Sequence, residues 1–156
     1  MKPDTNTEAF TRLTLTVFRL NGALLHWGDR LVEPLGLTSA RWQMLGAIAL
    51  ADVPLTAPQV GEAMGVTRQG AQKQLNLLVE QGLVDSQPNP AHRRSPLYVL
   101  TQRGRELYQK ADELWAARAA KLATLIPSAQ ARAAARTLES MLNQLHSITP
   151  LSEIES

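Results

Sequence analysis

The sequence predicts a mainly α-helical protein, a winged helix-turn-helix with a small β-hairpin wing, flanked by long N- and C-terminal helices that form a dimerisation region. Three observations predict it. Thr56 to Gly82 reads as a short capped helix, a glycine turn and a longer helix with one polar face. Leu83 to Leu100 holds two short extended stretches around a basic loop bounded by prolines. Apolar residues at heptad spacing run along the first helix, which calls for a long helical partner.

The first helix carries Phe10, Leu13, Val17, Leu20, Leu24, Trp27 and Leu31 in alternating steps of three and four. Pro34 disfavours helical geometry at Glu33, and Gly36 permits the turn that follows. Thr38 or Ser39 can cap a second helix reaching about Ala51, with Trp42, Leu45 and Ile48 facing inward. After the break at Asp52-Val53-Pro54-Leu55, Thr56 and Gln59 have capping-box spacing and start a short helix, its inward residues Val60, Ala63 and Met64. Gly65 stops that helix, and the small Gly61 and Ala71 suit a close crossing with the next. Thr67 caps the next helix, which runs to about Gln81 on a buried stripe of Ala71, Leu75, Leu78 and Val79.

Extended stretches are expected at Leu83 to Gln87 and Leu97 to Leu100, with Pro88 and Pro96 keeping the loop between them out of the sheet. Thr101 then caps a long helix carrying Leu107, Ala111, Leu114, Arg118, Leu122 and Leu125, broken at Pro127-Ser128. A last helix from about Ala129 to Ile148 offers Leu138, Leu142, Leu145 and Ile148. The expected division is an N-terminal dimerisation helix over 1–36, a DNA-binding winged region over 37–101 and C-terminal dimerisation helices over 102–156.

Composition bounds the chemistry. A chain of 156 residues, 44% hydrophobic and 19% charged, is ample for a buried globular core, and scarce aromatics lean it toward helix. No apolar run approaches the roughly 18 residues of a membrane span. The start, MKPDTNTEAF, lacks the apolar core of a secretory signal, so a cytoplasmic protein with no membrane partner is expected. Without cysteine there is no disulfide, thiolate metal site or cysteine redox switch. His26, His92 and His146 make no metal-spaced pair, and neither metal nor cofactor is expected.

Charge is unevenly placed. Between Thr67 and Arg105 six basic side chains face only Glu80 and Asp85, a net of +4 on a chain of net +2. Such a segment suits an anionic partner. Thr67 at the cap and Arg68, Gln69, Gln72, Lys73 and Asn76 lie on the polar side of the helix that Thr67 starts, mainly in its first half. Recognition helices present those positions to base edges in the major groove. Arg pairs with guanine and Gln or Asn with adenine, each good pair giving roughly 1–3 kcal/mol of discrimination. Lys73 suits a phosphate. His92, Arg93 and Arg94 sit on the projecting loop, where arginine gains from a narrow A·T-rich minor groove. An ordinary solvated helix face and an exposed basic loop account for either feature alone; their succession favours double-stranded DNA.

On these residues the chain resembles the MarR family of bacterial transcriptional regulators. The resemblance runs through LTSARWQMLGAIA, the reader segment VTRQGAQKQLNLLVEQGLV and the wing NPAHRRSPLYVLTQRG, where Arg93-Arg94, Leu100-Thr101 and Gly104 are the most specific part. It implies a homodimer joined by first and last helices, with two winged helices reading an inverted repeat, and regulation by small molecules, often phenolic or aromatic carboxylates; a repressor released by such a ligand is the expectation. One position departs: the family usually has an acidic residue where His92 stands, an acid that orients the wing arginine. A histidine there can instead add positive charge to the wing in mildly acidic solution. For the ligand, His26, Trp27, Arg30, Arg41 and Trp42 offer an aromatic wall and cations suited to a planar carboxylate. The reading of both tryptophans as core is favoured over the pocket, because Trp27 already belongs to the heptad stripe.

Other classes have less behind them. Ser39, Ser86 and Ser95 form no nucleophile constellation with the histidines, and no phosphate-binding glycine loop is present, so no enzyme is expected. A winged-helix protein-interaction scaffold without DNA binding is the alternative, but its reader face would show apolar anchors rather than Arg68, Gln69, Gln72, Lys73 and Asn76. No interleaved aromatics are available to stack single-stranded RNA.

Overall fold

The first helix begins before its apolar stripe does. In the computed structural model, which describes residues 5–148, Thr5 and Glu8 close a capping box: the Thr5 N–H donates to Glu8 Oε2 at 2.8 Å, and the Glu8 N–H donates to Thr5 Oγ1 at 3.2 Å. The helix, α1, spans Asn6–Val32. A 3-10 turn at Glu33–Leu35 follows, then α2 (Ser39–Ala49), α3 (Ala57–Met64), α4 (Arg68–Glu80), β1 (Val84–Gln87), β2 (Leu97–Leu100), α5 (Gln102–Ala123) and α6 (Ser128–Ile148). Residues 1–4 and 149–156, the outer ends of the two expected dimerisation segments, lie outside the described residues.

Packing divides the described residues into two units, one ending at Trp115 and one beginning at Ala116. The first contains the core, built on Val32, Met44, Leu45, Val60, Leu75, Leu78 and Val84. Thr38 rather than Ser39 caps α2, its hydroxyl accepting from the Arg41 N–H. Ser39 instead fastens α2 to α1. Its hydroxyl donates to the Leu25 carbonyl at 2.6 Å and its N–H to Asp29 Oδ1 at 2.7 Å. Gly28 makes room for this contact, because a Cβ there would collide with the Ser39 hydroxyl.

The helix-turn-helix forms where the small residues are. Thr56 and Gln59 complete their capping box, and Gly65 ends α3 in the left-handed region at φ 64°. A Cβ on Gly61 would stand 2.9 Å from the Val66 carbonyl oxygen and 3.5 Å from Ala71 Cβ, so only glycine allows this crossing without a shift. Two inward assignments are corrected. Ala63 is exposed, because α3 turns Ala57, Val60 and Gly61 to the core. Val79 is also exposed, since the steps of four and three through Ala71, Leu75 and Leu78 leave it a residue round the helix.

The wing is a two-stranded antiparallel hairpin with Val84 opposite Leu100 and Gln87 opposite Leu97. Its first strand starts at Val84, one residue later than expected, because the Leu83 N–H turns back to close α4 on the Leu78 carbonyl at 2.9 Å. Leu55, read as part of a break, forms a bridge to Tyr98, whose N–H donates to its carbonyl at 2.7 Å. Thr101 joins wing to α5: its hydroxyl accepts from the Gly104 N–H at 3.0 Å and donates to the Gly82 carbonyl at 2.8 Å.

In the second unit, the last turns of α5 close at Ile126, whose N–H donates to the Leu122 carbonyl, and α6 follows Pro127. Leu142, Leu145 and Ile148 of α6 are exposed, and in the first unit so are Phe10, Phe18, Leu20 and Leu24 of α1. Three of the seven stripe residues, Phe10, Leu20 and Leu24, thus face solvent in the single chain.

Candidate nucleic-acid interface

The amino-terminal half of α4 is anchored from behind by Ala71 and Leu75, both fully buried, which turns its polar positions outward. Thr67 caps it, with its hydroxyl accepting from the Gly70 N–H at 3.0 Å. Arg68, Gln69, Lys73 and Asn76 are exposed. Gln72 is half-buried, and its amide nitrogen donates to Asn76 Oδ1 at 2.9 Å and to the Tyr98 hydroxyl at 2.8 Å. Tyr98 is a residue the sequence reading did not single out. A tyrosine at an inward strand position needs a partner for its hydroxyl, and that was the available signal.

The wing tip is organised by Asn89. Its side-chain amide donates to the Ser95 carbonyl at 2.8 Å, its Oδ1 accepts from the Ala91 N–H at 3.1 Å, and its carbonyl accepts from the His92 N–H. This is an Asx-type turn with a bond across the loop, and it projects His92, Arg93 and Arg94 into solvent. The Arg93 and Arg94 guanidinium groups make no hydrogen bond or ion pair among the described residues.

The six basic residues of this segment divide into two kinds. Arg103 donates to the Gln81 carbonyl at 3.1 Å, and Arg105 to the Leu100 carbonyl at 2.8 Å, so both brace the joint between α4, wing and α5. Arg68, Lys73, Arg93 and Arg94 are left facing outward.

The ligand candidates separate in the same way. Trp27 and Trp42 are half-buried and both meet Trp115 of α5, at centroid distances of 5.8 Å (edge-on) and 6.4 Å (tilted). All three tryptophans of the chain therefore share one cluster, and Trp115 was missed because nothing local marks it. Arg41 is half-buried and donates from Nε to Thr38 Oγ1, whereas His26 and Arg30 are exposed. A separate open groove of about 430 Å³ lies among Ile48, Ala51, Val53, Pro54, Tyr98, Arg105 and Tyr108. Burial, and then the charge of Asp112, push the Tyr108 phenol above its ordinary pKa. No described helix is long and apolar enough to cross a membrane.

Known proteins resemble the chain along most of its length. The model of the MarR family matches residues 35–95, from the turn before α2 to the wing tip. An uncharacterized protein of Mycobacterium tuberculosis is 38% identical over 143 residues, which is 92% of this chain and 99% of that protein. The transcriptional activatory protein BadR of Rhodopseudomonas palustris is 28% identical over 68% of this chain and 62% of its own length. Among solved structures, the M. tuberculosis transcriptional regulator MosR in complex with DNA is 26% identical, covers 85% of this chain and 96% of its own, and superposes with a TM-score of 0.69.

Proposed function

This chain belongs to the MarR family of transcription regulators, and we propose on that premise that it represses nearby genes by binding an inverted-repeat operator as a homodimer. One observation carries the reading: Arg68, Lys73, Arg93 and Arg94 are directed outward without protein partners among the described residues, while the reader helix α4 and the wing strand β2 are tied together through Gln72 and Tyr98. Residues 37–101 serve as the DNA-binding region. Arg68, Gln69, Gln72 and Asn76 address base edges, Thr67 and Lys73 meet phosphate, and His92, Arg93 and Arg94 enter the flanking minor groove.

Segments 1–36 and 102–156 supply the dimer contact. The exposed apolar side chains of α1 and of α6 are of the kind that a second copy would cover. Two reader helices then address half-sites about one DNA turn apart, roughly 10 bp centre to centre. The effector is a small planar aromatic carboxylate, held against the tryptophan cluster with Arg41 as its cation and His26 and Arg30 at the rim.

Fluorescence anisotropy tests the proposal directly. Labelled duplexes from the DNA flanking the protein's own gene are compared with scrambled duplexes of equal composition at near-physiological salt. A specific site binding at least about a thousandfold tighter supports it. Equal affinity for every duplex contradicts it.

A further inference from the structure

Gln72 does not hang freely from the reader helix. A glutamine side chain has two N–H donors and one carbonyl acceptor. Both donors are used inside the protein, one by Asn76 Oδ1 at 2.9 Å and one by the Tyr98 hydroxyl at 2.8 Å. Tyr98 is a firm anchor. The residue is 3% exposed, it pairs with Ser86 across the hairpin, and its N–H is held by the Leu55 carbonyl at 2.7 Å. The carbonyl Oε1 is the part of Gln72 left without a protein partner among the described residues.

We propose that Tyr98 is a positioning residue for base recognition: by holding the Gln72 amide nitrogen, it leaves the Gln72 carbonyl oxygen as the group offered to DNA. This inference rests on the DNA-binding reading and deepens it. A bidentate contact with adenine would need a free donor as well as the acceptor, and Gln72 has no free donor. A lone acceptor selects a base edge carrying an amino group, N4 of cytosine or N6 of adenine. It rejects guanine and thymine, which place O6 and O4 at the corresponding edge. Asn76, whose oxygen is taken by Gln72, is turned the opposite way and offers its amide nitrogen. The two residues thus form a polarised pair whose sense is set by a hydroxyl on the wing strand. Pinning also spares Gln72 the ordering that a free side chain undergoes on binding.

Tyr98→Phe removes the hydroxyl and keeps both the buried ring and the N–H to Leu55. Full-length protein and variant are compared by competition binding against operator duplexes carrying each base pair in turn at every half-site position. Wild type favours an amino-bearing base at one position per half-site. Tyr98→Phe loses roughly three- to tenfold of that preference there and nothing at other positions. Gln72→Ala abolishes the same preference, and adding Tyr98→Phe to it costs nothing more. A preference unchanged in Tyr98→Phe, a preference for guanine or thymine at that position, or a loss that persists in the Gln72→Ala background would overturn the proposal.

The side-chain amide signals of Gln72 in the DNA-free protein, read by ¹⁵N NMR, separate the two levels. Shifted signals that collapse toward free-amide positions in Tyr98→Phe support the tether, and free-amide positions in wild type refute it whatever the DNA result. Shifted signals in a protein that prefers no duplex would refute base recognition, and this proposal with it, while leaving the tether as part of the fold.

Discussion

Replacing Gly104 by Ala attacks the joint between the wing and α5. A Cβ at this position lands on the Leu83 carbonyl oxygen and stands 2.9 Å from the Leu83 carbonyl carbon. That carbonyl is held in place, since its oxygen accepts from the Thr101 N–H at 3.1 Å. Gly104 is held as well, because its own N–H donates to the capping hydroxyl of Thr101. Both sides of the clash are backbone, so no rotamer change relieves it, and α5 must move away from Leu83. Overpacking of this kind costs about 1–3 kcal/mol, and more where only backbone can yield. Alanine returns at most about 1 kcal/mol as the better helix former.

A net loss of about 2 kcal/mol lowers the midpoint by roughly 4–8 °C in a chain of this size. Two further glycines calibrate the result. Gly61→Ala falls by less, since its Cβ would meet one carbonyl oxygen at 2.9 Å. Gly22→Ala, with nothing within 4 Å and a place off the heptad stripe, rises by roughly 2–4 °C. Circular-dichroism melts at one fixed protein concentration give the order, because the midpoint of a dimer depends on concentration. Gly104→Ala melting at or above wild type would refute the reasoning.

Other perturbations read other parts of the account. Ser39→Ala removes the hydroxyl bond to the Leu25 carbonyl between α1 and α2 and is expected to cost about 1–2 kcal/mol by urea unfolding; a change of only a few tenths would deny that contact its importance. Leu24→Glu and Leu145→Glu each place a charge on an exposed apolar helix face and should shift sedimentation from dimer to monomer, and an unchanged dimer for both would remove those faces from the interface. Arg68→Ala should relax base preference at one position, whereas Lys73→Ala should weaken all duplexes alike and lower the salt slope by about 1; identical behaviour of the two would contradict their separate roles. Salicylate should quench tryptophan emission saturably in wild type and weakly in Arg41→Ala, and purely linear quenching in both would argue against the effector site.

The local grammar of the sequence was largely legible. Thr56 with Gln59, Gly65, Thr67 and the two strand segments all form the elements their spacing indicated. Capping boxes and turn glycines act within four residues, so they can be read without knowing the fold. Even so, Thr5 and Glu8 passed unnoticed beside a conspicuous apolar stripe. What stayed hidden is mostly made through space. The Asp29–Ser39 contact spans ten residues, the Gln72–Tyr98 bond twenty-six, and Trp115 joins two tryptophans lying 73 or more positions earlier in the chain. Ala63 and Val79 were misplaced for a related reason: apolar identity alone does not fix which side of a helix faces the core. At the candidate interface, the exposed basic residues were readable as a set. Their division into two outward-facing pairs and two structural braces, Arg103 and Arg105, required the geometry of the wing.

Selection of random duplex DNA by the purified full-length protein at near-physiological salt tests the central claim most directly. The account predicts enrichment of an inverted repeat, its half-sites about 10 bp apart and its flanks rich in A·T, bound by two copies of the chain. A folded, dimeric protein that enriches no sequence would contradict it.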